Sequence, residues 1–226
     1  MIEMGIAKIQ ILGNDYVGAW SVATDKFFLL GSEVNKKTAG VISGTLGVEI
    51  VRSLVGGSSL LGIYACGNSR GVLVPNLIES YELKDLRQSL PGVAVEILQT
   101  DLNALKNNIL ANDRIAIINP NFGAEEERAI RDVLDVETVR LEIGGFHTVG
   151  ANNILTNKGF VLNNRADEEE KERIEKILGM KVEQSTANTG SVNIGLCVVA
   201  NSSGMIAGDS TSGYELARIA ESLDID

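Results

Sequence analysis

Two markers recur along this chain of 226 residues in a single rhythm, and that rhythm restricts the fold to a repeat architecture. Asn68, Asn112, Asn157 and Asn201, with Thr24 in the first place, are spaced 44, 44, 45 and 44 residues apart. Leu46, Leu90, Leu134, Leu178 and Leu223 are spaced 44, 44, 44 and 45 apart, and each closes an amphipathic run. The chain therefore divides into five units, at about 13–56, 57–101, 102–145, 146–190 and 191–226, expected to form a single domain.

Around the first marker stand GAWSVATDKFFLL from Gly18, GIYACGNSRGVLVP from Gly62, KNNILANDRIAIINP from Lys106, GANNILTNKGFVLNN from Gly150 and GLCVVANSSGMIAGD from Gly195. Each reads as a hairpin, two apolar stretches joined by a polar turn of residues that tolerate positive φ. Helical segments follow over Thr38–Leu46, Ser80–Leu90, Ala124–Leu134, Asp167–Leu178 and Ser212–Leu223. Ser212 and Glu215 have capping-box spacing, and the acidic runs at Glu125–Glu127 and Asp167–Glu170 lie where a helix dipole favours negative charge.

A third strand follows the first four helices, in Val48–Arg52, Val93–Leu98, Val136–Leu141 and Lys181–Gln184, so the unit is ββαβ and the class is α+β. The fifth unit has no such strand, but an unpartnered apolar strand at 4–12 precedes the first hairpin at the same distance from its marker. A strand lent by one terminus to the last unit is how radial repeats protect their edges. The expectation is a closed five-fold pseudosymmetric ring, strands inside, helices outside, with no free edge and hence a monomer.

Composition removes several classes of function. No apolar run approaches the ~20 residues of a membrane helix, and the opening Met-Ile-Glu-Met-Gly-Ile lacks the layout of a signal peptide, so the expected location is the cytoplasm and no membrane is involved. Cys66 and Cys197 are read as buried free thiols, and one histidine without a CxxC pair gives no zinc site and no cofactor. A formal charge of −10 opposes a broad phosphate-binding surface and favours basic protein as partner.

In this order and spacing, GGSSLLG (Gly56–Gly62), GNSRGVLVP (Gly67–Pro75), LNALKNNILANDRIAI (Leu102–Ile117), TVGANNILTNKG (Thr148–Gly159) and ANSSGMIAGDSTSGYEL (Ala200–Leu216) resemble the translation initiation factor 6 family over essentially the whole chain. Without the extra tail of eukaryotic members, the chain is similar to the archaeal form. The resemblance implies a pentein fold and no catalysis. It further implies a protein that binds the large ribosomal subunit, keeps the small subunit away, and takes part in large-subunit maturation. Contacts would be with basic ribosomal proteins near the sarcin-ricin loop.

A ribosome has no five-fold axis, so specificity must come from positions that break the repeat. Those are Trp20, read as core, Ile63 and Tyr64, Lys106, Asn107 and Asn108, Ala151, Asn152 and Asn153, and Leu196. Asn107 falls on the asparagine of the family's L-x-A-L-G-N stretch and leads the candidates, followed by Asn152 and Lys106, with Ile63, Ala151, Asn108 and Leu196 beside them. Lys106 stands where the other units have Gly18, Gly62, Gly150 and Gly195, and would cost stability if that backbone needs positive φ. Two alternatives remain. Penteins include guanidine-modifying enzymes with a Cys nucleophile, for which His147, Cys66 and Cys197 are the raw materials. A sliding clamp would need basic lining strands, whereas the inner hairpins here are apolar.

Overall fold

A computed structural model describes residues 5–31 and 34–225; Met4 of the expected first strand, and Ser32, Glu33 and Asp226, lie outside the described residues. After β1 (Ile6–Ile9) the first unit runs α1 (Val17–Trp20), β2 (Ser21–Ala23), β3 (Phe27–Leu30), α2 (Lys36–Leu46), β4 (Glu49–Arg52). The second runs α3 (Leu61–Tyr64), β5 (Cys66–Gly67), β6 (Gly71–Pro75), α4 (Ser80–Ser89), β7 (Ala94–Leu98). The third runs α5 (Leu105–Asn108), β8 (Ile109–Ala111), β9 (Ile115–Ile118), α6 (Ala124–Leu134), β10 (Glu137–Arg140). The fourth runs α7 (Val149–Asn152), β11 (Ile154–Leu155), β12 (Phe160–Asn163), α8 (Glu168–Leu178), β13 (Val182–Ser185). The fifth runs α9 (Ile194–Cys197), β14 (Val198–Ala200), β15 (Met205–Gly208), α10 (Gly213–Leu223).

Five three-stranded sheets result, each with one antiparallel and one parallel pair. In the first unit Val22 pairs antiparallel with Leu29, and Leu29 pairs parallel with Val51. The fifth sheet takes its parallel strand from the other end of the chain: β1 pairs with β15, Ile6 opposite Met205 and Ile9 opposite Gly208. The middle strand of each sheet is its most buried, because it is covered on both faces; β3, β6, β12 and β15 are buried throughout. The repeated leucines Leu46, Leu90, Leu134, Leu178 and Leu223 are buried where each long helix meets its sheet.

The sequence reading needs three corrections. The apolar stretch that opens each hairpin begins as one turn of helix (α1, α3, α5, α7, α9), and four residues are too few to display a 3.6-residue period. The strand expected over 4–12 ends at Ile9, because Ile11 and Asn14 bond across a turn in which Leu12 has φ +52. In unit four the repeating marker is Thr156, not Asn157. Its Oγ1 accepts the N–H groups of Lys158 and Gly159, as Thr24 does from Lys26 and Phe27 and as Asn68 Oδ1 does from Arg70 and Gly71. The marker spacing becomes 44, 44, 44 and 45, the rhythm of the leucines.

These markers also join units. Asn68 Nδ2 donates to the carbonyls of Asn112 and Leu134, Asn112 Nδ2 to Thr156, and Asn201 Nδ2 to Thr24 and Leu46. At the other end of the strands the short helices touch in sequence, α1 with α3, α3 with α5, α5 with α7, α7 with α9, and α9 with α1. Residues from all five units line an axial cavity of about 60 Å³.

Candidate functional site

The second strand of each unit runs toward the short helices, and the long helix starts there and runs back. All five long-helix N-termini, the turns that lead into the short helices, and the short helices themselves therefore share one end of the molecule. The asparagine and threonine turns mark the other.

Glycines set the packing of the short helices. A Cβ on Gly18 would stand 2.2 Å from the Gly195 carbonyl oxygen, on Gly62 2.0 Å from that of Gly18, on Gly150 1.9 Å from that of Lys106, and on Gly195 2.1 Å from that of Gly150. None of these glycines is among the residues with positive φ, so the reason for glycine is close approach of backbone, not backbone twist. Lys106 holds the fifth equivalent place and keeps its Cβ. Its ammonium turns inward across the molecule and donates to Gly195 O at 2.9 Å and Gly18 O at 3.3 Å. Lys106 as a residue is half-buried, but its charged end lines the axial cavity. Burial pulls its pKa from 10.5 down to about 8, against a weaker upward pull from the Cys66 and Cys197 thiols.

Other predicted site residues are divided by burial. Asn152 is 1 % exposed, donating to Asn193 Oδ1 and accepting from Thr148 Oγ1. Asn108 bonds the Ala104 carbonyl and Asn119 Nδ2, Asn153 bonds Val149 O and Asn163, and Ala151 is buried beside them. Asn107, Ile63 and Leu196 are half-buried at the same end, and Asn107 Oδ1 is a buried acceptor without a partner. Trp20 is half-buried against the core that contains Ile42 and Leu46.

Sequence reasoning missed a set of exposed apolar side chains at this end. Leu12 (66 % exposed) and Tyr16 lie in the turn before α1, Leu54 follows β4, Leu77 follows β6, and Tyr81 and Tyr214 (73 %) sit in the first turns of α4 and α10. All belong to units five, one and two, which are neighbours. Each lies within a few residues of a turn glycine or a helix cap, and that placement was the available signal. Outside this sector the perimeter is acidic, with Glu125, Glu126 and Glu127 opening α6 and Glu168, Glu169 and Glu170 opening α8.

The turns that carry this face are held from below by glutamates at the third position of long helices. Glu82 accepts from Gly56 and Gly57 N–H, Glu170 from Gly144 N–H, and Glu215 from Thr189 and Gly190 N–H, while each also caps its own helix. Burial works to raise the Glu215 pKa, but bonds from the Ser212 and Gly190 backbone and the Thr186 hydroxyl win and hold it at about 2.

The materials for a cysteine enzyme are not assembled. His147 Nε2 contacts Glu142 at 2.6 Å and Nδ1 contacts Asn121 Nδ2 at 3.3 Å. Cys66 points at the Ile109 carbonyl, and burial pushes its thiol up to about 12 and that of Cys197 up to about 11, the reverse of an activated nucleophile. Among the described residues no group of three or more His, Cys, Asp or Glu is placed to hold a metal ion, and no helix is long and apolar enough to cross a membrane.

The sequence pattern of the eIF-6 family matches residues 6–222. The chain belongs to the eIF-6 family. It is 34% identical over 221 residues to a protein named translation initiation factor 6 in Saccharolobus islandicus, covering 97% of this chain and 99% of that one. The same name is carried by a Thermoplasma acidophilum protein, 36% identical over 218 residues and covering 96% and 99%, and by a Pyrococcus abyssi protein, 33% identical over 226 residues and covering 98% and 100%. A structural likeness to a solved dimethylarginine dimethylaminohydrolase adduct has 12% identity and a TM-score of 0.47, over 75% of this chain and 68% of that one. Within this eIF-6 family chain the short-helix end departs from five-fold repetition at Lys106 and in its exposed apolar side chains.

Proposed function

We propose that this chain is a translation factor that binds the large ribosomal subunit through its short-helix end and so prevents premature association with the small subunit, with a further part in large-subunit maturation. The translation role rests on membership of the eIF-6 family and on relatives named translation initiation factor 6. The choice of face rests on one observation: of the large exposed apolar side chains among the described residues, all but Ile177 stand at one end of a repetitive molecule, on units five, one and two. An asymmetric partner needs such a sector, since five equal units would offer five equal sites.

The exposed contacts are Leu12, Tyr16, Leu54, Leu77, Tyr81 and Tyr214, with the half-buried Asn107, Ile63 and Leu196 beside them. Lys106, Asn108, Ala151 and Asn152 shape the face from beneath. A stable complex buries about 800 Å² on each partner, which several of these turns supply together. The acidic perimeter and the charge of −10 fit basic ribosomal proteins, those near the sarcin-ricin loop in particular. Exclusion of the small subunit is steric and needs no bond made or broken. The factor acts in the cytoplasm as a monomeric single domain in this reading.

The test is reassociation of separated ribosomal subunits followed by light scattering. Saturating protein is expected to suppress the rise in scattering, and an unchanged rise would overturn the reading.

A further inference from the structure

We propose that Lys106 is the positioning residue of this face: a built-in cation that staples unit three to units five and one through the axial cavity and thereby fixes where α5 presents Asn107. The proposal rests on the reading of the short-helix end as the ribosome-binding face. Four observations carry it. First, at four of the five contacts between short helices a glycine lets one backbone settle against the next carbonyl, whereas the Cβ of Lys106 forbids that approach where α5 meets α3. The third unit is wedged where its counterparts are seated.

Second, the side chain that causes the wedge also ties it down. The carbonyls it reaches, Gly195 O and Gly18 O, belong to the same set of equivalent backbone positions, on the two units farthest round the molecule from unit three. No carboxylate pairs with this ammonium among the described residues, so its partners are these backbone dipoles. Third, the last residue of α5, Asn108, is itself tied down, bonding Ala104 O and Asn119. Asn107 therefore lies between two tethered residues, Lys106 and Asn108.

Fourth, Asn107 is the residue of α5 whose side-chain carbonyl is buried without a partner. A buried unpaired acceptor costs free energy and persists when surrounding structure imposes it. The Lys106 wedge and staple impose it here. Because Oδ1 is covered while the residue is half-exposed, the part of Asn107 that a partner meets is held in one orientation, which lowers the ordering cost of binding.

The test uses the full-length protein as parent, Lys106→Met and Lys106→Gly. Lys106→Met keeps the wedge and loses the staple; Lys106→Gly loses both. Two measurements are made, both at a temperature where circular dichroism shows each variant fully folded. Backbone and Asn side-chain amide resonances are compared by NMR, and affinity for separated large subunits is measured by co-sedimentation. In both variants resonances of α1 and α9 are expected to move, and affinity to fall about tenfold, more in Lys106→Gly than in Lys106→Met. Shifts confined to α3 and α5, with α1 and α9 unmoved, would overturn the staple whatever the binding result. Unchanged affinity in both variants, with the parent binding, would overturn the positioning role. Failure of the parent itself to bind would count against the proposed function, and the resonances would still decide the staple.

Discussion

At Glu215 one carboxylate closes a helix and a turn at once, and its titration records both. Held at about 2 in the folded protein against 4.5 in an unfolded chain, it contributes stability that is fully present above pH 5 and is lost as pH falls toward 2. That difference corresponds to at most about 3 kcal/mol. Glu215→Gln, compared with the parent by urea denaturation, is expected to be less stable at pH 7, with the gap closing between pH 5 and pH 2. Lys106 has the opposite sense. Its folded pKa of about 8 lies below 10.5, so the cost of burying the charge is fully present below pH 8 and is relieved as pH rises toward 10.5. Relative to Lys106→Met, the parent should gain up to about 3 kcal/mol across that window; parallel pH profiles for the two proteins would contradict the buried ammonium. The asparagine turns allow a graded test. Asn68→Thr keeps the turn bonds, as Thr24 and Thr156 do, but loses donation to Asn112 and Leu134, and should cost about 1–3 kcal/mol. Asn68→Ala removes both and should cost more in the same denaturation experiment.

Among the elements, glycines of two kinds respond in opposite directions. Gly150→Ala in α7 would drive a methyl to 1.9 Å from the Lys106 carbonyl oxygen, with backbone on both sides, and should destabilise by about 3 kcal/mol or fail to fold. Gly40→Ala in α2 meets open space in the middle of a helix and should stabilise by up to about 1 kcal/mol, seen as a raised thermal midpoint. Element type was legible where a period had room to show. The long helices emerged from their closing leucines and caps, and Ser212 with Glu215 forms the expected capping box. The short helices were not legible, because a single turn has no period. Asn157 displaced Thr156 as the marker because Asn is the commoner turn residue, while the turn bonds in the structure go to the threonine.

For the whole molecule, the rhythm of the chain carried the five sheets and the pairing of its first strand with the last sheet. It did not carry the direction of polar side chains at the short-helix end. Asn152 turns inward because a neighbouring unit supplies Asn193 as partner, and Asn108 because the end of the second strand of its own unit brings Asn119 beside it; both partners come from contacts that the local pattern does not display. Nor did it carry the apolar sector, since Leu12, Tyr81 and Tyr214 come to one end of the molecule only when units five, one and two are brought side by side. The central claim is that this sector, on this end, meets the large subunit. The most direct measurement is co-sedimentation of separated large subunits with the variant Leu12→Asp/Tyr214→Asp, beside Ile177→Asp as an exposed apolar control at the other end. The account predicts at least a tenfold loss of affinity for the first and parental affinity for the second; equal affinity for both, or a loss confined to Ile177→Asp, would contradict it.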